Sequence, residues 1–350
     1  MAHLIFLTST PPSVAKGSGT WVGISVLRDA IVAMGHEVTL LAPSEGAAPT
    51  TLSRILFNMR ALPRLRKVKA DALIGFDLDG VFVRRGKLFH AAAVKGVLAD
   101  EARFEHGRNR VALTLQARLE ARHLRQADRI ITTSRYSSER IAEFYGVSST
   151  EISIVPEPID LQAWLNALRM APREEGPLRV LCVAHLYPRK GVDTLLRAFA
   201  RVQTKAVLRI VGIGAERQRL EHLAGKLAIA DRVRFLGQLS FEALTAEYRN
   251  AAVFALPTSQ EGFGIVFLEA MASSLPIIAG RAAAVPELVD HPVTGFLVEP
   301  GDHETLAQNL TTLLEEPETR LAMGSAGLAR VRHYNSPIVA RRFLDVVGIA

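Results

Sequence analysis

Pro257-Thr-Ser-Gln-Glu261-Gly-Phe-Gly-Ile-Val-Phe-Leu-Glu269-Ala-Met-Ala272 is the stretch that decides the reading of this chain. The apolar run Val253–Leu256 leads into it as a strand, two glycines mark a loop, and a helix begins near Ile265. Gly262 and Gly264 permit backbone conformations that bring amide groups close to a ligand. The first turn of a helix leaves N–H groups without intrahelical partners and presents a positive dipole end, which together suit a diphosphate. Glu261 precedes this helix and Glu269 lies about one turn inside it. Both carboxylates can therefore face one pocket, where their oxygens accept hydrogen bonds from sugar and ribose hydroxyls. On the residues alone, Glu261 as a plain helix-terminus charge is an equal reading.

Upstream, Ala184-His185-Leu-Tyr-Pro-Arg189-Lys190-Gly191-Val192 has the same layout, a loop between the strand Leu178–Ala184 and the helix Val192–Gln203. Its basic pair could neutralise phosphate. A solvated loop is the commoner reading of such a pair taken alone. Around these segments strands and helices alternate: further strands at Ala206–Val211, Val233–Leu236, Pro276–Ala279 and Phe296–Val298, and helices at Arg217–Ala228 and Phe267–Ala272. The amino-terminal part alternates too. It has strands at Leu4–Leu7, Glu37–Ala42, Ala72–Gly75, Leu88–Val94 and Arg129–Thr133, a Gly/Ser/Thr loop, an amphipathic helix from Val22 to Met34, and a long Arg-studded helical stretch from Glu101 to Ala127. Strand–helix–strand alternation calls for parallel sheets. Asn166–Pro177, with Pro172, Gly176 and Pro177 among charges, reads as a linker between the halves. The expected fold class is α/β, with two Rossmann-like domains facing a cleft and ligands beyond the carboxyl ends of the strands.

A chain of 350 residues suits two domains, and 49% hydrophobic with 22% charged residues excludes disorder. The single cysteine, Cys182, lies in an apolar strand and has no partner for an internal disulfide, so a cytoplasmic setting is expected. The first residues lack the positive region of a signal peptide, and Pro11-Pro12 interrupts them. Most of the net charge of +7 falls in residues 1–170. The run Arg54–Lys69 mixes apolar and basic residues as segments at an anionic membrane surface do, although Pro63 interrupts it and a solvated acceptor loop fits equally. The expectation is thus a cytoplasmic protein, with peripheral contact at the inner face of the membrane open.

Taken together the segments resemble the retaining glycosyltransferases of family 4, of the GT-B fold, over nearly the whole chain. The E-x7-E signature of that family is matched by Glu261 and Glu269, and its R-x4-K phosphate clamp corresponds to His185 through Lys190. Val211-Gly-Ile-Gly-Ala-Glu216, Phe235-Leu-Gly237, Gly17-Ser-Gly19-Thr20, Gly35-His-Glu-Val38, Ala127–Ser134 and Ile154–Asp160 look like its other landmarks, in order. The resemblance implies an acceptor-binding domain over 1–168, completed by 336–350, and a nucleotide-sugar-binding domain over 169–335. It implies that Glu261 holds the donor sugar and Glu269 the ribose, while Lys190 and the amides of Phe263, Gly264 and Ile265 neutralise the departing diphosphate. Gly19, His185, Arg189 and Gly262 complete the donor contacts. A nucleoside-diphosphate sugar is the co-substrate, with no cofactor and no metal; Asp77-Leu-Asp79 reads as a loop after a strand. Two positions depart from the pattern. His185 stands where the family has arginine, with Arg189 as a substitute charge. Lys95-Gly96 stands where the family has a first-domain His-Gly pair at a strand end, so Lys95, a catalytic candidate with Lys190 and Glu261, orients an anionic acceptor or senses the donor phosphate, or else is an ordinary strand-end charge; His90 sits at the wrong end of its strand and reads as structural.

Three rivals remain. A nicotinamide oxidoreductase needs G-x-G-x-x-G after the first strand, whereas Ser9–Thr20 holds two prolines and no such triplet. A basic nucleic-acid-binding protein accords with a pI near 9.8, but no recognisable motif or aromatic platform accompanies that charge. A catalytically weakened GT-B protein that binds sugar nucleotides is the third, suggested by the two departures.

Overall fold

The computed structural model describes every residue except Ser13, 45–49, Arg66, Arg85, Lys87 and Ala350, and the backbone alone of 14–18. Arg66, part of the basic run, thus lies outside the described residues. The chain divides into two compact units, Met1–Pro158 with Ser336–Ala350, and Ile159–Asn335.

In the first unit the order is β1 (His3–Leu7), α1 (Val14–Ala33), β2 (Glu37–Leu41), α2 (Thr51–Leu65), β3 (Ala72–Phe76), β4 (Phe89–Val94), α3 (Leu98–Glu101), α4 (Gly107–Gln126), β5 (Arg129–Thr132), α5 (Arg135–Tyr145) and β6 (Ile152–Ile154). The six strands form one parallel sheet in the order β2-β1-β3-β4-β5-β6. Helices cover both faces of such a sheet, which is why β1, β3 and β4 are nearly unbroken apolar runs. Phe6 meets Phe76 edge-on, with ring centroids 5.2 Å apart. Ser134 caps α5 through a bond from Ser137 N–H, and Gly146 ends it in the left-handed region.

The second unit runs α6 (Leu161–Met170), β7 (Leu178–Val183), α7 (Val192–Phe199), β8 (Ala206–Val211), α8 (Arg217–Lys226), β9 (Val233–Gly237), α9 (Phe241–Asn250), β10 (Val253–Leu256), α10 (Ile265–Ala272), β11 (Ile277–Gly280), α11 (Val285–Leu288), β12 (Gly295–Val298), α12 (His303–Glu315) and α13 (Pro317–Val331). Its six parallel strands lie in the order β12-β11-β10-β7-β8-β9. Cys182 is fully buried in β7, and burial pushes its thiol up to about 12. The last helix, α14 (Ser336–Val346), belongs to the first unit, where it packs on α1 and its Phe343 reaches Phe6.

Three expectations change. The glycine loop before the first helix is helix already, because α1 begins at Val14 and carries Gly17 and Gly19 within it. The stretch Glu101–Ala127 is broken, since α3 and a short 3-10 turn at Ala102–Phe104 precede α4. The linker is shorter than its composition suggests. Asp160 caps α6 through Ala163 N–H, the helix runs to Met170, and the apolar face of Leu161, Trp164 and Leu168 buries it in the second unit.

Phe343→Ala should destabilise the first unit by about 3–5 kcal/mol, the usual cost of a large aromatic deletion in a packed core. Urea unfolding followed through that unit's transition measures it. A loss below about 1 kcal/mol would mean that α14 adds little to the core.

Candidate active site

In the second unit β7 has β8 on one side and β10 on the other, so the chain leaves β7 in one direction and returns beside it later. Connections on the two sides of such a reversal diverge and open a crevice at the strand ends. The two loops singled out in the sequence, 184–191 after β7 and 257–264 after β10, both lie there.

The loops are clasped through backbone. Gly191 has φ 66°, and a Cβ there would lie 2.2 Å from the Pro257 carbonyl oxygen, so glycine serves both the turn and the contact. The Arg189 carbonyl accepts from Thr258 Oγ1 at 3.0 Å and from Ser259 N–H at 2.8 Å. Held in this way, Lys190 Nζ forms an ion pair with Glu261 Oε2, both side chains being largely buried. Ala284 N–H, from the loop after β11, donates to the Glu261 carbonyl. Gly264 starts α10 with φ 98° and no side-chain cap, and a Cβ there would fall 2.6 Å from the Phe267 ring. Phe263 is buried, edge-on to Tyr334 at 5.9 Å, and Ile265 is half-buried.

Glu269, on α10, is the buried one of the two glutamates. Tyr248 Oη donates to its Oε2 at 2.8 Å, and burial raises the carboxyl to about 7 against the pull of that bond. His185 stacks on Tyr187 with centroids 5.8 Å apart, and the Arg189 guanidinium also lies over that ring, at 5.3 Å. Arg189 Nε donates to Gln260 Oε1 at 3.0 Å. Burial, and then the neighbouring charge of Lys190, lower the His185 pKa below its usual value. The imidazole is therefore neutral at neutral pH and can offer a phosphate a hydrogen bond but not a charge.

The first unit has its own strand-order reversal, at β1 between β2 and β3. Protein groups fill it. Asp79 accepts from Ser9 N–H, Ser9 Oγ and Asn58 Nδ2, and Arg54 lies 3.6 Å away. The letters Asp77-Leu-Asp79 therefore anchor a core, and burial raises Asp77 to about 6. Arg54, which the sequence places in the surface basic run, donates to Ser9 Oγ and Gln116 Oε1 instead. At the end of β4, Lys95 Nζ pairs with Glu157 Oε2 at 2.9 Å and lies 5.7 Å from the Phe76 ring centroid. Its side chain is 8% exposed, which does not accord with an ordinary strand-end charge. Gly23 makes room for this pair, since a Cβ there would sit 2.1 Å from Glu157 Oε2. His90 packs on His123, Nε2 to Nε2 at 3.0 Å, and burial pushes it down to about 3, so it is a core residue. Gly19 is exposed on α1. Among the described residues no cluster of three or more His, Cys, Asp or Glu could hold a metal ion.

Comparison with known proteins agrees with this layout. The family Glycosyltransferase Family 4 matches residues 17–163, and Glycosyl transferases group 1 matches residues 168–330. GDP-mannose-dependent alpha-(1-6)-phosphatidylinositol monomannoside mannosyltransferase of Mycobacterium tuberculosis is 30% identical over 339 residues, covering 88% of this chain and 82% of that protein. The chain belongs to glycosyltransferase family 4. D-inositol 3-phosphate glycosyltransferase of Corynebacterium glutamicum is 28% identical, over 84% of this chain and 76% of its own length. Among solved structures, sucrose-phosphate synthase from Thermosynechococcus elongatus superposes with a TM-score of 0.85 at 21% identity, over 99% of this chain and 98% of that one. Anabaena HepE in complex with UDP-glucose gives 0.78 at 18%, over 99% and 100%. These likenesses establish the GT-B fold.

In this family 4 glycosyltransferase the sequence missed the partners: Tyr248 for Glu269, Glu157 for Lys95, Gln260 and Tyr187 for Arg189. No spacing signals them, because each pair is brought together by the fold across 21 or more residues, Tyr187 excepted.

The raised pKa of Glu269 sets a pH dependence. Its contribution to stability is full below the ordinary 4.5 and is lost as pH rises through about 7. Unfolding of the second unit in urea should therefore cost less at pH 8 than at pH 5, by on the order of 3 kcal/mol for this group. Glu269→Gln should flatten that difference, and an unchanged pH profile in this variant would reject the assignment.

Proposed function

We propose that this glycosyltransferase moves a sugar from a nucleoside-diphosphate sugar to an acceptor hydroxyl with retention and without a metal ion. The observation that carries the reading is the Lys190–Glu261 pair beside the uncapped start of α10. A cation and a carboxylate held together can divide a nucleotide sugar between them, Glu261 taking hydroxyls of the sugar and Lys190 the diphosphate. Negative charge grows on the diphosphate oxygen as the glycosidic bond breaks, and Lys190 with the α10 amides stabilises it. That oxygen then receives the proton of the attacking acceptor hydroxyl on the same face, so no side chain has to be a strong base. Glu269 takes the ribose, with Tyr248 fixing its carboxyl. His185 adds a neutral hydrogen bond and Arg189 the second cation. The second unit is the donor side in this reading and the first the acceptor side, with Lys95 contributing as half of an ion pair. The names of the relatives suggest GDP-mannose as the first donor to try and inositol-bearing lipids or phosphates as acceptors.

The test is nucleoside-diphosphate release and product analysis with GDP-mannose and UDP-glucose. Lys190→Ala and Glu261→Ala should each lower kcat by about 10²–10³-fold, chelator should leave the rate unchanged, and the product should keep the donor's anomeric configuration. Equal turnover in both variants would sink the residue roles, and an inverted product would sink the mechanism.

Peripheral membrane contact is part of the proposal. Among the described residues no helix is long and apolar enough to cross a membrane. On α2, however, Leu52, Leu56 and Met59 are exposed with Arg60 and Arg64 beside them, an apolar stripe at helical spacing flanked by cations. The protein should float with anionic liposomes and lose that association in a Leu56→Glu/Met59→Glu variant. Equal absence from anionic and neutral liposomes would reject it.

A further inference from the structure

The second unit holds a cavity of about 600 Å³ at the amino ends of β10 and β11, the end of the sheet away from loops 184–191 and 257–264. Its volume is that of a small-molecule site. The last turns of α6, α9 and α10 and the first turn of α13 converge on it. Four arginines line it, Arg169, Arg173, Arg249 and Arg320, and no carboxylate does. None of the four makes a salt bridge to a described residue.

A helix C-terminus attracts cations, so some of this charge has a local explanation. Arg320 shows what that looks like: its guanidinium donates to the carbonyls of Leu313 and Leu314, at 2.7 and 3.0 Å. The others differ. Arg249 Nε is buried and donates to nothing. Arg173 makes no hydrogen bond to a described residue, although Asn250 holds its segment in place through the Pro172 carbonyl and Glu174 N–H. Arg169 has only a 3.5 Å approach to Asn166. Ser274 also lines the space, the Ser273 hydroxyl is held between Trp164 Nε1 and the Glu269 carbonyl, and leucines, alanines and prolines form the remaining wall. Three planar forks with open N–H groups, beside the carbonyl-bound Arg320, around a half-open, partly apolar space match the oxygens of a phosphate, and the mutual repulsion of the four cations is relieved by a multiply charged anion.

We propose that this cavity is a second ligand site, separate from the donor loops, that takes a phosphate-bearing molecule. The ligand's phosphate seats on Arg173 and Arg249, and its less polar part lies against the leucines. Either a free phosphorylated solute or a lipid headgroup supplies that chemistry.

The experiment is titration calorimetry on Lys190→Ala protein, in which one of the donor-loop phosphate contacts is removed, with pyrophosphate in one arm and dihexanoyl phosphatidic acid in the other. Binding of at least one probe is expected. Adding Arg173→Glu, an exposed position that leaves the fold intact, or Arg249→Gln should weaken it about tenfold or more. Where Arg173→Glu or Arg249→Gln weakens the binding, a stronger response to pyrophosphate points to a free solute and a stronger response to the phosphatidic acid to a headgroup; either supports the site. Absence of heat with both probes, or the same affinity in the Arg173→Glu variant, would overturn it. Because the arginine variants are compared within the Lys190→Ala background, the loss they cause is read independently of what Lys190 does in sugar transfer.

Discussion

Strand β7 lies between β8 and β10, and this one choice of strand order puts two loops distant in sequence into the same crevice. Its consequences are local and chemical. Gly191 lets the loops touch, Thr258 and Ser259 bind the Arg189 carbonyl, and Lys190 is delivered to Glu261. A buried ion pair is weak evidence for stability, since desolvation offsets much of its attraction. In the proposed reaction its use is preorganisation, with charges fixed before a substrate meets them.

The two units use the same topological device differently. In the second, the reversal leaves side chains presented at the strand ends. In the first, Asp79, Arg54, Asn58 and Ser9 satisfy one another there, so the crevice has become part of the core. The polar content is then carried one strand further, to the end of β4, where Lys95 and Glu157 are paired. Fold alone therefore does not locate chemistry; which groups remain unspent at the strand ends does.

Much of this was legible from residues. Parallel strands buried on both faces read as apolar runs, and Val253–Leu256 and Ala206–Val211 are strands with those bounds. The Glu261–Glu269 segment announced its loop and helix through its glycines and periodicity. What stayed hidden depended on burial. Gly17 and Gly19 look like a loop and are helix, because packing of α1 outweighs their low propensity. Arg54 looks like a surface cation and is a core donor, because its partners come from residues 9, 79 and 116. Lys95 looks free, because Glu157 is 62 positions away. Charges read from a sequence carry no account of their counter-ions, and that is where the reading of the first unit fell short.

Cys182 sits at the centre of the second sheet, wholly enclosed and with its thiol held protonated. Maleimides and oxidants act on thiolates they can reach, so this sulfur is chemically silent in the folded protein. Any cysteine introduced at an exposed position would be the sole reactive one. The chain thus offers a ready background for site-selective fluorophores or spin labels, and delayed reaction of Cys182 itself becomes a clock for the opening of the strand that carries it.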